Sequence, residues 1–153
     1  MRMSRFGAAA ALLGTLLIAP AQADDERQAA PNWQFRSIDP NGNPCRAVKS
    51  GAGVDTQLVR NNKDKMVLIA GRPDWDLPLE PAKLTLAIDD KQAVEMLGHP
   101  IGPVVLVEID DDAQARQLRS ATTLKWHFPW GDYSASVAGL GAAYDKLIVC
   151  PAR

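Results

Sequence analysis

The chain has 153 residues, with 17 Lys and Arg against 18 Asp and Glu and a formal net charge of −1 at neutral pH. This balance, with no basic block along the chain, argues against nucleic-acid binding, which requires clustered Lys and Arg. Apolar side chains make up 46% of the residues, and the length suits one domain with a core of its own.

The first 23 residues have the pattern of a secretory signal peptide. Two arginines precede an apolar run at about residues 6–18, and "AQA" follows at residues 21–23, a small-x-small cleavage pattern. The apolar run is shorter than the about 20 residues that a membrane-spanning helix needs. We therefore expect a periplasmic or secreted protein in which residues 1–23 are removed, residues 24–31 form a flexible leader and residues 32–153 form a single β-rich domain.

The first half of this domain reads as a series of short strands. "NWQFRSID" and "CRAVKS" flank the turn signal "PNGNP", and "TQLVRN" and "KMVLIAG" flank a second turn at residues 61–64. "KLTLAID" alternates strictly, and "QAVEML" returns after a turn. We expect His99 to lie in a loop, "GHPIGP", and the apolar run "PVVLVEID" to form a strand that is covered on both faces.

The second half adds two helices and a hairpin. "DDDAQARQLRSAT" predicts a short helix, and "TTLKWHF" and "DYSASVAG" predict two strands that pair around residues 129–132. A helical apolar stripe then follows, formed by Leu140, Ala143, Tyr144, Leu147 and Ile148. Short strands with local turns favour antiparallel pairing. We therefore predict a mainly β (β-rich α+β) fold, an antiparallel β-sandwich or partly open barrel with one short inner helix and a C-terminal helix.

The two cysteines, Cys45 and Cys150, both lie in the part of the chain that is expected to be exported. An oxidising compartment favours a disulfide between them, and neither has the Cys-x-x-Cys spacing or nearby His that would indicate a redox or metal site. Pro151 ends the terminal helix directly after Cys150. The predicted bond would therefore fasten that helix to an early strand.

Motifs for catalysis or metal binding are not found. The acidic run at residues 110–112 precedes a predicted helix, where carboxylates cap free amides. His99 and His127 show no metal-ligand spacing, and no Gly-x-Ser-x-Gly stretch is present. We therefore predict no catalytic residue, no metal site and no cofactor.

Aromatic residues provide the one indication of recognition. They are concentrated in "LKWHFPWGDY", and Trp75 lies in the proline-rich segment "RPDWDLPLEP". Large aromatic side chains in turns can anchor a protein partner, but more often they fold back over a hairpin. The candidate partner-binding residues are Trp75, His127, Trp130 and Tyr133.

Four segments carry a resemblance to a known group of proteins: "CRAVK", "MVLIAGRPDWDL", "KLTLAIDD" and "SVAGLGAAYDKLIVC". With these segments the chain resembles small secreted bacterial proteins related to the invasion-associated locus B family, and also periplasmic accessory proteins found with type VI secretion systems. The resemblance implies export and a compact β-rich fold. It carries over no catalytic residue.

Three functions are compatible with these observations. The first is an exported binding or accessory module that engages another periplasmic or envelope protein without catalysis. The second is an inhibitor or immunity-like protein with one tight partner, and the third is a hydrolase whose site assembles only in the fold. The sequence does not decide the partner or the oligomeric state.

Overall fold

The computed structural model describes residues 32–38, 40 and 44–150, so the expected signal peptide and leader lie outside the described residues. In the described part the chain forms nine strands and two helices. Their bounds are β1 Gln34–Ile38, β2 Pro44–Lys49, β3 Asp55–Arg60, β4 Met66–Gly71, β5 Ala82–Ile88, β6 Val94–Ile101, β7 Val104–Ile109, α1 Asp112–Arg119, β8 Thr123–Phe128, β9 Gly131–Ser136 and α2 Leu140–Leu147.

The nine strands form one antiparallel sheet in the order β1-β2-β3-β4-β7-β6-β5-β8-β9. The sheet curls into a half-barrel, so the predicted β-rich fold with two short helices is confirmed, in its partly open barrel form. Most neighbours are joined by hairpins because most turns are local. There are two exceptions: β5 follows β4 in the chain but pairs with β6 and β8, and β8 follows β7 through α1 but pairs with β5 and β9.

The core lies on the inner face of the sheet, which we define as the face that packs against α1 and α2. Alternate residues point to this face, as in β5, where Leu84, Leu86 and Ile88 are buried. The expectation of a strand covered on both faces was wrong for β7, which buries alternate residues, whereas β4 is buried along its whole length. β4 lies inside the sheet, between β3 and β7.

Strand β6 changes partner along its length. Residues 94–98 pair with β5, and residues 99–101 pair with β7. Gly98 lies at the change, where an added Cβ would be only 2.6 Å from side-chain atoms of Leu84 and Val105. His99 therefore lies in a strand, opposite Leu106, and not in the expected loop. The turn comes later, at Gly102, whose φ of 59° favours glycine.

The two helices pack against each other and against the inner face. Asp111 caps α1 by accepting a hydrogen bond from the backbone N–H of Ala113 at 2.7 Å, as the acidic run predicts. Gly141 in the first turn of α2 permits close contact between the helices, since a Cβ there would lie 2.1 Å from the carbonyl oxygen of Arg119. The expected stripe is shorter than predicted, because α2 ends at Leu147 and Ile148 is 46% exposed.

The expected pairing of Cys45 with Cys150 agrees with the structure. The two residues form a disulfide with Cα atoms 5.3 Å apart, and it links β2 to the short segment that follows α2. Two more contacts hold the same helix at its start: the indole N–H of Trp33 and the ammonium of Lys49 donate to the carbonyl of Ala138 at 3.0 and 3.1 Å. The C-terminal helix is thus fixed at both ends.

Removal of the disulfide should lower stability strongly. The closed loop separates the cysteines by 105 residues. In the chain-entropy view, such a loop contributes about 4 to 5 kcal/mol. We expect the double variant Cys45→Ala, Cys150→Ala to unfold at markedly lower urea concentration than the oxidised protein, and reductant to destabilise only the unsubstituted chain. If reductant leaves the urea midpoint of the unsubstituted chain unchanged, this result would contradict the structural role of the disulfide.

The variant Gly141→Ala tests whether helix packing outweighs helix propensity at this position, because the two predict opposite changes in stability. Propensity alone predicts that alanine stabilises a helix by about 1 kcal/mol relative to glycine. The contact with the Arg119 carbonyl predicts the opposite, a loss of about 1 to 3 kcal/mol through overpacking. We expect the loss, measured as a lower free energy of unfolding in urea. A stabilised variant would show that the helices lie farther apart than described.

Candidate interaction site

Five aromatic side chains form a cluster at one end of the strands. The aromatic cluster consists of Trp75, Trp126, Phe128, Trp130 and Tyr133. Trp126, Phe128 and Trp130 are alternate residues, so they follow one another on the inner side of β8 and its turn. Their rings stack with centroids 5.5 and 5.0 Å apart and interplanar angles of 9° and 8°.

Trp75 packs against this column from the loop at residues 72–81. Its ring meets those of Phe128 and Tyr133 nearly edge-on, with centroids 5.3 and 5.0 Å apart, and that of Trp130 at 6.2 Å. Edge-to-face contacts of this kind are favourable beyond the area they bury. Trp126 and Phe128 are buried, whereas Trp75, Trp130 and Tyr133 are half-buried. The last three rings therefore form the outer part of the cluster.

The cluster is held by ring contacts and not by hydrogen bonds of its indoles. Within the described residues, the buried indole nitrogens of Trp75, Trp126 and Trp130 have no hydrogen-bond partner. An unpaired buried donor costs free energy. The stacked and edge-on packing must therefore offset this cost for the indoles to stay in place.

Arg72 and Asp74 fasten the same loop. The guanidinium donates to the carboxylate from Nε and Nη2 at 2.8 and 3.0 Å, and from Nη1 to the carbonyl of Gly53 at 3.1 Å. It also lies 5.8 Å from the centre of the Tyr133 ring. The hydrogen bonds from Arg72 hold the pKa of the Asp74 carboxyl below its ordinary value, and Asp74 in turn raises the pKa of Arg72.

The loop presents one apolar side chain to solvent. Leu79, between Pro78 and Pro81, is 91% exposed, more than any other large apolar residue of the described part. Proline restricts the backbone of this segment. A leucine on a loop that is fixed by Trp75 and Arg72 is therefore held outward, where a partner could cover it.

His127 lies apart from the other candidate residues. It pairs with Thr85 on the opposite, outer face of the sheet, and its Nδ1 contacts the carboxylate of Asp132. The structure thus brings Trp75, Trp130 and Tyr133 together and leaves His127 outside the cluster. Sequence reasoning missed Arg72, Asp74 and Leu79, although the Arg-x-Asp spacing within a proline-rich loop was a usable signal.

Other functional sites have little support in the described residues. Among residues 32–38, 40 and 44–150, His, Cys, Asp and Glu side chains form no group of three or more that could hold a metal ion. Neither of the two helices described is long and apolar enough to cross a membrane. Comparisons with protein-family models, with curated proteins and with solved structures find no match.

The Arg72–Asp74 contact predicts a pH dependence with a definite sign. Because the pKa of Asp74 is lowered in the folded state, its carboxylate stabilises the fold above the unfolded pKa of about 4, and this contribution is lost as the pH falls through the lower folded value. We expect Asp74→Asn to lower the urea midpoint at pH 7. Near pH 2, the midpoint of the variant should approach that of the unsubstituted protein. Near-UV circular dichroism would follow the Trp75 environment.

Asp76→Asn is the matched control for this measurement. Asp76 is exposed in the same loop, and it makes no contact with Arg72 among those found in the structure. Its substitution should leave both the midpoint and the near-UV spectrum unchanged. An equal effect of the two substitutions would indicate general charge effects in place of the specific contact.

Proposed function

We propose that the protein is an exported binding module that engages another protein of the bacterial envelope through the outer part of the aromatic cluster and the loop at residues 72–81. The observation that carries this proposal is the exposure of Leu79 on a loop that two separate contacts hold in place. Ordering a flexible loop upon binding costs free energy, and a loop that is already ordered avoids much of that cost.

The composition of this surface supports recognition of a protein. Tryptophan, tyrosine and arginine dominate the energetics of protein interfaces, and Trp75, Trp130, Tyr133 and Arg72 meet here. Half-buried rings present an apolar surface without needing to move. Leu79 supplies an aliphatic anchor beside them, so a partner with a small apolar pocket would bury it.

Export is supported by two independent features. The first 23 residues have the signal-peptide pattern, and the cysteine pair at disulfide distance fits an oxidising compartment. The resemblance to secreted proteins related to the invasion-associated locus B family points to the same compartment. These features together favour the periplasm or secretion, and a partner that is met there.

Site-specific crosslinking in the native envelope tests this function. A photo-crosslinking residue placed at Leu79 should trap one or a few envelope proteins, and Trp130→Ala in the same chain should reduce the trapped product at least severalfold. The matched control is the same crosslinker at Ile101, which is 61% exposed on the outer face of the sheet. Equal trapping from both positions, or none from Leu79, would contradict the proposed surface.

Affinity then separates the two binding functions. An accessory module should bind its trapped partner weakly or bind several partners, whereas an inhibitor or immunity-like protein should bind one partner with nanomolar affinity. Titration of the purified partner with the mature, oxidised chain measures this directly, with Leu79→Ser as the variant that should weaken binding.

A further inference from the structure

The outer face of the sheet divides into a polar half and an apolar half. On β5, β8 and β9 most side chains of this face are polar, among them Lys83, Thr85, Lys125, His127, Asp132 and Ser134. On β4 and β7 the residues of the same face are Val67, Ile69, Gly71, Val104, Leu106 and Glu108. A sheet face that meets water normally carries polar side chains. Only the first half of this sheet follows that rule.

The apolar half is separate from the core. Val67 and Ile69 of β4 are buried, yet neither belongs to the core beneath the two helices, to which their neighbour Leu68 contributes. The adjoining strands extend this surface with half-buried aliphatic side chains. We call the surface formed by Val48, Val59, Val67, Ile69, Val104 and Leu106 the outer apolar face.

One row of side chains across this face has opposite charges at its two ends. Across β1, β2, β3, β4 and β7, the register aligns Arg36, Arg46, Val59, Val67 and Glu108. The row therefore begins with two cations, passes over two valines and ends with an anion. The next row on the same face contains no Lys, Arg, Asp or Glu and consists of Gln34, Val48, Gln57, Ile69, Leu106 and His99.

The charges of this row lack ion pairs within the described part of the chain. Arg36 and Arg46 lie directly opposite each other, a position in which like charges destabilise a sheet. No described carboxylate forms an ion pair with either of them, and no described cation forms one with Glu108. Lys65 lies near Glu108, but its direct partner is Asp110. Each end of the row could therefore accept an opposite charge from outside.

A two-fold axis along the strands makes this row complementary to itself. We consider two copies stacked face to face about an axis that runs between β3 and β4, parallel to the strands. In this arrangement β2 lies over the partner's β7, and Arg46 lies over the partner's Glu108. Val59 lies over the partner's Val67. The apolar surfaces thus meet at the centre, with one Arg46–Glu108 pair on either side.

The other face-to-face arrangement is unfavourable. An axis along the row, across the strands, would place Arg46 over the partner's Arg46 and Glu108 over the partner's Glu108. Like charges that face each other in an interface cost free energy. The strand-parallel axis instead gives nearly aligned sheets, which pack about 10 Å apart. Arginine and glutamate are long enough to meet across this spacing where the two curled sheets diverge.

We infer that the outer apolar face is a homodimer interface, in which a second copy of the chain packs about a two-fold axis along the strands and pairs Arg46 with the partner's Glu108. Five strands of six residues cover about 24 by 20 Å. Such a face offers about 500 Å² per copy, near the lower end for specific interfaces, so we expect a micromolar dissociation constant. The outer apolar face shares no residue with the aromatic cluster or the loop at residues 72–81, so this inference does not rest on the proposed function.

Sedimentation and chemical shifts of the mature, oxidised chain test the interface. Sedimentation equilibrium should show a monomer–dimer equilibrium with a dissociation constant in the micromolar range. Amide chemical shifts of residues 57–59, 67–69 and 104–108 should change with protein concentration. Those of residues 131–136, in β9, should stay constant because this strand lies in the polar half of the sheet.

Charge reversal identifies the pairing. Arg46→Glu and Glu108→Arg should each weaken the homodimer at least tenfold, because each turns two attractive pairs into two repulsive ones. The double variant Arg46→Glu, Glu108→Arg should recover most of the affinity, since both pairs are restored with exchanged signs. An axis across the strands predicts a different result, in which neither single reversal weakens the dimer.

Lys125→Glu and Glu80→Arg are the matched controls. They make the same kinds of charge change at exposed positions outside the outer apolar face. Each should leave the dissociation constant of the dimer within twofold. Urea unfolding at a protein concentration below the dissociation constant should give equal midpoints for the single reversals and their controls, which shows that all of them fold.

Several results would overturn the homodimer. These are a chain that stays monomeric at millimolar concentration, concentration-dependent shifts confined to other strands, single reversals without effect, and no recovery in the double variant. A photo-crosslinker at Val59 that traps a different envelope protein in place of a second copy would also overturn it. A crosslinked homodimer has twice the mass of the chain, so it is distinguished from the envelope proteins that are counted from Leu79 and Ile101.

Discussion

The change of partner within β6 is the constraint on which the rest of the architecture depends. A strand that pairs with β5 over its first half and with β7 over its second half must bend, and the bend curls the sheet. Gly98 permits this bend because no side chain fits between Leu84 and Val105 at that point. The curled sheet then forms the inner face that α1 and α2 cover, and the same bend leaves only residues 99–101 of β6 paired with β7.

The C-terminal helix closes the inner face, and its contacts reach far along the chain. It is bonded through Cys150 to β2, and its start is held by donors from Trp33 and Lys49. A helix of eight residues has little stability in isolation. Its position therefore results from tertiary contacts, and the residues that provide them lie about 90 to 105 positions earlier in the sequence.

Much of the fold could be predicted from local patterns, since alternation, turn residues and helix caps act over a few residues. The strands β1 to β5, the hairpin of β8 and β9, the cap at Asp111 and the pairing of Cys45 with Cys150 all follow from such signals. The extent of β6 could not be predicted in this way. "GHPIGP" has the composition of a loop, and only pairing with β7 makes its first residues a strand.

The same difference between local and long-range signals governs the candidate site. Alternation correctly placed Trp126 and Phe128 on the inner face and His127 on the outer one. It could not show that Trp75, some fifty residues earlier, packs edge-on against Phe128. Nor could it show that Arg72 joins Asp74 to Gly53, because the carbonyl of Gly53 comes near Arg72 only through the pairing of β3 with β4, which places Asp55 opposite Gly71.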